Sequence, residues 1–147
     1  MRLPILNKDY AQIDEAEAIR MIRKAIDNGV NYVDTASPYH MGNSEKVVGK
    51  ALRDGYRQKV KLATKLSYFM LKSGDDIEGY FNRQLEYLQT DKIDFYLLHG
   101  LDKLAWSKML EWKAIPWAER KMAAGQIGHL GFSFHDEYTL FKKIVDS

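Results

Sequence analysis

The sequence contains no cysteine among its 147 residues. This absence excludes disulfide bonds, thiolate metal sites and thiol nucleophiles within the chain, and it is compatible with a reducing compartment. The sequence also has no apolar run of the roughly 18 residues that span a bilayer, and its first residues lack the charged and apolar regions of a secretory signal. We therefore expect a cytoplasmic protein that has no membrane partner.

The charges of the chain are nearly balanced. Lys and Arg number 22, Asp and Glu number 20, and the formal net charge is +2. The basic residues are spread along the whole chain, whereas binding to a phosphate backbone requires a basic stripe. We therefore expect no nucleic-acid partner. The content of 46% hydrophobic residues is ordinary for a globular protein and predicts one domain.

Strand and helix periodicities alternate along the chain. The predicted strands are 30–36 (VNYVDTA), 60–66 (VKLATKL), 93–100 (IDFYLLHG) and 127–134 (IGHLGFSF). A helix is predicted from Pro116 through Ala124, and the segment Leu101–Trp112 is interpreted as an insertion. Parallel neighbours need crossover connections, so this alternation predicts a parallel α/β sheet. Neither GxGxxG nor GxxxxGK[ST] occurs, so a (β/α) barrel is a better prediction than an open nucleotide-binding sheet.

Polar or ionisable residues stand at the carboxyl ends of the predicted strands. In chain order they are Asp34, Lys65, His99 and Ser133, with His135 close behind. Functional groups of barrels gather at this rim. The alternation of side chains aims Lys65 inward, where an ammonium is costly unless a carboxylate balances it, and Asp34 is the obvious partner.

Tyr39 lies in the loop that follows Asp34. From there its side chain could lean over the rim toward Lys65. An ammonium favours proton release from a neighbouring phenol. The sequence therefore indicates Tyr39 as a candidate general acid.

Three segments resemble conserved motifs of the aldo-keto reductase family, and they occur in the family's order with compatible spacing. VNYVDTASPYHMGNSEKVVGKAL is similar to the signature Asp-Thr-Ala…Tyr-Gly…Glu…Val-Gly, KLATK to the lysine strand, and IDFYLLHGLD to the histidine strand. The resemblance implies a (β/α)8 barrel that reduces a small-molecule carbonyl, an aldehyde or ketone, to an alcohol with NADPH or NADH.

The same resemblance implies a role for each site residue. Tyr39 would donate the proton to the carbonyl oxygen, and Lys65 paired with Asp34 would make that proton easier to release. His99 would orient the carbonyl or assist proton transfer. Asp34 and Ser133 would contribute to cofactor binding, and no metal is expected. GFSFH, which contains Ser133, is typical of a subgroup whose longer members carry an iron–sulfur segment. A chain without cysteine cannot ligate such a cluster conventionally.

The resemblance also implies that residues 1–147 form an incomplete barrel domain, from about the second to the fifth βα unit. The first strand and strands six to eight would be lacking, together with most of the loops that hold the cofactor.

Other interpretations stay open at this stage. Asp34 could cap a turn, Lys65 and Tyr39 could lie in solvent, and either rim histidine could bind a backbone carbonyl. A metal-dependent hydrolase could use Asp34, His40, His99 and His135 as ligands. A non-catalytic barrel fragment is the third function class.

Four parallel strands are too few to close a filled barrel, so two strand edges would be exposed. The inward faces are predicted to carry Tyr32, Ala63, Leu97 and Leu130. We expect such a chain to associate as a homodimer through its barrel edges or apolar faces.

Overall fold

A computed structural model describes residues 2–147, which form six α-helices and four β-strands. The helices are α1 Glu15–Asp27, α2 Ser44–Ala51, α3 Asp76–Leu88, α4 Lys103–Glu111, α5 Ala114–Ala123 and α6 Tyr138–Val145. The strands are β1 Tyr32–Asp34, β2 Lys61–Leu66, β3 Ile93–Leu101 and β4 Ile127–Phe134. Within residues 2–147, no helix combines the length and the apolar character that crossing a membrane would need.

The four strands form one parallel sheet in the order β1-β2-β3-β4. Each strand therefore lies beside its predecessor, and a helical connection returns the chain to the same end of the sheet. Strand and helix alternate as in a (β/α)8 barrel, and the predicted fold class is confirmed. All four carboxyl ends meet at one rim.

The first helix shows how local sequence sets the element boundaries. Asp14 caps α1 by accepting a hydrogen bond from the backbone N–H of Glu17 at 3.1 Å. Ala18, Ile22 and Ile26 recur at helical spacing and are buried. Beyond α1 the chain leaves helical geometry at Gly29, whose φ of 97° is available to glycine without strain.

The helices α2 and α3 pack unusually closely. A Cβ atom placed on Gly49 of α2 would lie 2.9 Å from the Cα atom of Leu88 and closer still to the carbonyl oxygen of Tyr87. The two helices can approach this closely at Gly49 because glycine carries no side chain. The contact holds α2 against the helix that follows β2.

One predicted helix boundary was wrong. The segment Leu101–Trp112, interpreted as an insertion, contains the last residue of β3 and the helix α4. Asp102 begins α4 by accepting from the N–H of Ala105 at 2.7 Å. The next helix starts at Ala114 rather than Pro116, and Pro116 fits its first turn because no intrahelical bond is needed from that nitrogen.

The strand register corrects one assignment to the inner face. Leu130 pairs with the fully buried Tyr96 and packs with the core, so it lies on the face that the helices cover. His129 pairs with Phe95 instead, and the two rings stack with centroids 4.9 Å apart. The prediction for Leu130 was wrong because side chains alternate with period two and the count along β4 was one residue out of phase.

Candidate active site

Lys65 is the buried centre of the rim. It is 4% exposed, and its Nζ donates to Asp34 Oδ1 at 2.8 Å, to Asp34 Oδ2 at 2.7 Å and to the carbonyl oxygen of Thr35 at 2.8 Å. An ammonium has three donors, and this arrangement gives each of them an acceptor. The pairing of an inward lysine with Asp34, which the strand ends predicted, is therefore present.

Tyr39 lies above this ion pair. Its ring centroid is 4.9 Å from Lys65 Nζ, which places the ammonium over the aromatic face. The same ring meets the imidazole of His99 edge to face, with centroids 5.9 Å apart. The structure thus brings Asp34, Tyr39, Lys65 and His99 together in one site.

The turn that carries Tyr39 has an unusual backbone. His40 and Met41 adopt φ values of 52° and 54°, a left-handed conformation that glycine adopts freely and that costs other residues energy. Gly42 follows with a φ of 94°. The surrounding structure must therefore hold this turn in place.

His99 occupies the end of β3 in its neutral form. Burial, with a smaller contribution from the ammonium of Lys65, lowers the pKa of His99 from 6.5 to about 4. Its Nδ1 lies 2.6 Å from Ser67 Oγ. The sequence interpretation missed Ser67, although its position two residues after Lys65 on the line of β2 indicates the same side of the sheet.

Ser133 lies on the far side of the rim, beside a β-bulge. The register of β3 and β4 shifts between Leu98 and Leu101, and Gly100 within the bulge has a φ of 61°. Ser133 Oγ accepts the N–H of Gly100 at 2.7 Å. Because the hydroxyl acts as an acceptor there, its own proton stays available for a second partner.

His40 does not join the site. It is 1% exposed, its Nδ1 lies 2.8 Å from the carbonyl oxygen of Tyr10, and its Nε2 accepts the N–H of Leu3 at 3.0 Å. Both ring nitrogens are thus used by the backbone, which contradicts the assignment of His40 as a metal ligand. In the described part of the chain, no group of three or more His, Cys, Asp or Glu residues is placed to hold a metal ion.

The arrangement suits proton transfer to an oxygen atom. The phenol of Tyr39 lies beside an ammonium and an imidazole, and phenol and imidazole groups can act as general acids. Lys65 is buried, and Asp34 accepts two of its three hydrogen bonds.

Comparison with known proteins identifies relatives of this chain. Residues 5–145 match the family model for the aldo/keto reductase family. The aldo-keto reductase YhdN of Bacillus subtilis (strain 168) is 39% identical over 99 residues, which cover 62% of this chain and 30% of YhdN. The methylglyoxal reductase YeaE of Escherichia coli (strain K12) is 34% identical over 115 residues, covering 78% of this chain and 38% of YeaE.

Solved structures agree with these relatives. An aldo-keto reductase from Bacillus halodurans in its holo form superposes with a TM-score of 0.76 at 31% identity, covering 99% of this chain and 49% of that protein. An aldo-keto reductase from Klebsiella pneumoniae, solved in complex with NADPH, gives a TM-score of 0.73 at 28% identity over 90% of this chain and 44% of its own. The chain thus spans about half the length of the solved relatives and less of the curated ones. On the family match and on these structures, the chain belongs to the aldo/keto reductase family.

Proposed function

We propose that this chain contributes the proton-transfer site of an NAD(P)H-dependent oxidoreductase that reduces an aldehyde or ketone to an alcohol. One observation carries the proposal: Lys65 Nζ contacts both carboxylate oxygens of Asp34 and also lies 4.9 Å from the ring centroid of Tyr39. The family membership supports it, as do the name of the methylglyoxal reductase YeaE and the NADPH bound to the Klebsiella relative.

Each residue has a separate proposed role. Tyr39 donates its phenolic proton to the carbonyl oxygen, and Lys65 stabilises the phenolate that this step leaves. Asp34 keeps the ammonium oriented. His99 acts as a hydrogen-bond donor to the carbonyl: if the Ser67 hydroxyl donates to Nδ1, the neutral ring carries its proton on Nε2.

Ser133 is the proposed contact to the cofactor, together with Asp34. These two residues fit a nicotinamide carboxamide, because the Ser133 hydroxyl keeps a proton to donate and the carboxylate of Asp34, whose side chain is 38% exposed, can accept. When bound, NADPH or NADH supplies the hydride. Ser133 would orient the nicotinamide ring through its carboxamide. The buried Lys65 would keep the carboxylate of Asp34 fixed beside that ring.

The extent of the domain is likewise a proposal. We assign residues 1–147 to about the second through fifth βα units of the barrel, and the cytoplasm stays the predicted location. The resemblance of GFSFH to the iron–sulfur-associated subgroup stays a prediction as well.

Substitution of Tyr39 by Phe tests the proposed function. In a protein restored to a full-length barrel, Tyr39→Phe should lower the rate of carbonyl reduction by the ~10²–10⁴-fold that follows loss of a general acid, with methylglyoxal as the first substrate to try. NADPH affinity, measured by fluorescence titration, should change little. The control is Tyr138→Phe, because Tyr138 is 76% exposed on α6. Full kcat in Tyr39→Phe would refute the proposed role.

A further inference from the structure

A buried carboxylate lies behind the rim, on the side of the sheet that the helices cover. Glu45, in the first turn of α2, is 1% exposed. Its Oε2 accepts from Ser37 Oγ at 2.8 Å, and its Oε1 accepts from Thr64 Oγ1 at 2.5 Å and from Gln84 Nε2 at 2.8 Å. We call these four residues the Glu45 cluster.

The charge of Glu45 is costly at this place. Burial raises the pKa of Glu45 above its ordinary value, and the three donors named above are neutral and lower it only in part. Buried ionic groups are commonly no more stabilising than well-packed apolar ones. Stability alone is therefore a weak explanation for a carboxylate here, and its geometry offers a better one.

Gln84 of α3 extends the cluster to the backbone of Lys65. Its Nε2 lies 2.9 Å from Ser37 Oγ and 3.0 Å from the carbonyl oxygen of Lys65, and its Oε1 accepts from the hydroxyl of Tyr96 at 2.7 Å. The amide is thus oriented by β3 and reaches both the loop after β1 and the end of β2. Fully satisfied buried networks of this kind make a local structure rigid and unique.

The cluster connects the two segments that carry the proposed proton donor and its cation. Ser37 stands two residues before Tyr39, in a loop that has left the sheet, whereas Thr64 stands one residue before Lys65 in β2. The carboxylate of Glu45 holds one of them with each oxygen. We propose that Glu45 is a positioning residue that sets Tyr39 relative to Lys65, a role that rests on the function proposed above for those two residues.

The experiment uses the 147-residue chain and needs no turnover, so an inactive chain would not affect its outcome. Tyrosine labelled with ¹³C in the ring is incorporated, and the Tyr39 resonance is assigned by its loss in Tyr39→Phe. This resonance senses the ring of His99 and the ammonium of Lys65, which lie 5.9 Å and 4.9 Å from the Tyr39 centroid. The resonance is compared in wild type, Glu45→Gln and Ser37→Ala.

Glu78→Gln is the matched control. Glu78 is also a glutamate in the first turn of a helix, and it accepts from Trp117 Nε1 and Lys121 Nζ of α5, which are not members of the Glu45 cluster. The same change of charge there should leave the Tyr39 resonance in place. Urea unfolding of every variant measures any general loss of stability.

We expect Glu45→Gln and Ser37→Ala to displace the Tyr39 resonance in the same direction. The double variant should displace it no further than the larger single change, because both substitutions break one connection. An unmoved Tyr39 resonance in folded Glu45→Gln would overturn the proposal, even if that variant were less stable. If Glu45→Gln fails to fold, an unmoved resonance in Ser37→Ala overturns it equally.

Discussion

The ion pair of Asp34 and Lys65 should respond very differently to removal of either partner. The side chain of Lys65 is 6% exposed and that of Asp34 is 38% exposed. Asp34→Asn leaves an ammonium in the interior with two neutral acceptors, the new amide oxygen and the carbonyl of Thr35. Lys65→Met replaces the ammonium by an unbranched apolar side chain and leaves a carboxylate that water can reach.

The expected costs follow from this asymmetry. Removing one partner of a buried ion pair destabilises a protein by about 3–5 kcal/mol, because the remaining charge is uncompensated. Asp34→Asn keeps one acceptor oxygen, so we expect a loss near the lower end, about 3 kcal/mol. For Lys65→Met we expect a loss of about 1 kcal/mol, since a carboxylate that is more than one-third exposed recovers hydration.

The double variant separates charge from packing. Asp34→Asn leaves the buried ammonium of Lys65 without an anionic partner, and Lys65→Met removes that ammonium. The double variant should therefore be more stable than Asp34→Asn alone. Urea unfolding followed by tryptophan fluorescence measures all four free energies, and equal denaturant slopes would show that the same transition is compared. A Lys65→Met variant that loses as much stability as Asp34→Asn would refute the reasoning.

Three further predictions concern the helices, the pH response and the sheet edges. Gly49→Ala should destabilise the fold by about 1–3 kcal/mol because its Cβ would meet Leu88. Gly79→Ala, with nothing within 4 Å of its Cβ, should stabilise α3 by about 0.5–1 kcal/mol in urea unfolding. Changes of the same sign in the free energy of unfolding of the two variants would contradict the close packing at Gly49. His99 has a lowered pKa, so the unfolded chain binds its proton first and stability should fall as the pH drops from 6.5 toward about 4; an NMR titration of His99 with a midpoint near 6.5 would contradict this. The edges of β1 and β4 lie at the two sides of the sheet, and Tyr32 on the inner face is 43% exposed. Sedimentation of the 147-residue chain should therefore show association that grows with concentration. A chain that stays monomeric at every concentration would count against this prediction.

The alternation of strands and helices made the parallel sheet and its rim predictable from the sequence. Lys65 and Asp34 could be paired in advance, since an inward lysine needs a carboxylate and the carboxyl ends of parallel strands lie at one rim. The position of Leu130 could not be predicted reliably, because it depends on the register of β4 against β3. His40 shows the same limit: its partners lie 30 and 37 residues away in sequence, and no local pattern indicates them.

Non-local contacts also explain why the Glu45 cluster escaped the sequence interpretation. Glu45 belongs to the signature that its segment resembles, but its partner Gln84 lies 39 residues away on a separate helix, and no local pattern indicates that contact. Their burial follows from the close packing of α2 on α3. The sequence thus indicates the site residues at the strand ends, whereas the contacts of the Glu45 cluster are seen only in the folded structure.

The hydrogen bonds of His40 connect the turn after the proposed proton donor to residues near the start of the sequence. The backbone of Leu3 and Tyr10 holds the imidazole, and the imidazole holds a turn of two left-handed residues directly after Tyr39. A substitution scan confined to the rim residues would therefore omit Leu3 and Tyr10, whose backbone holds His40. A change that displaces the backbone of Leu3 or Tyr10 should therefore be regarded as a change to the turn that carries Tyr39.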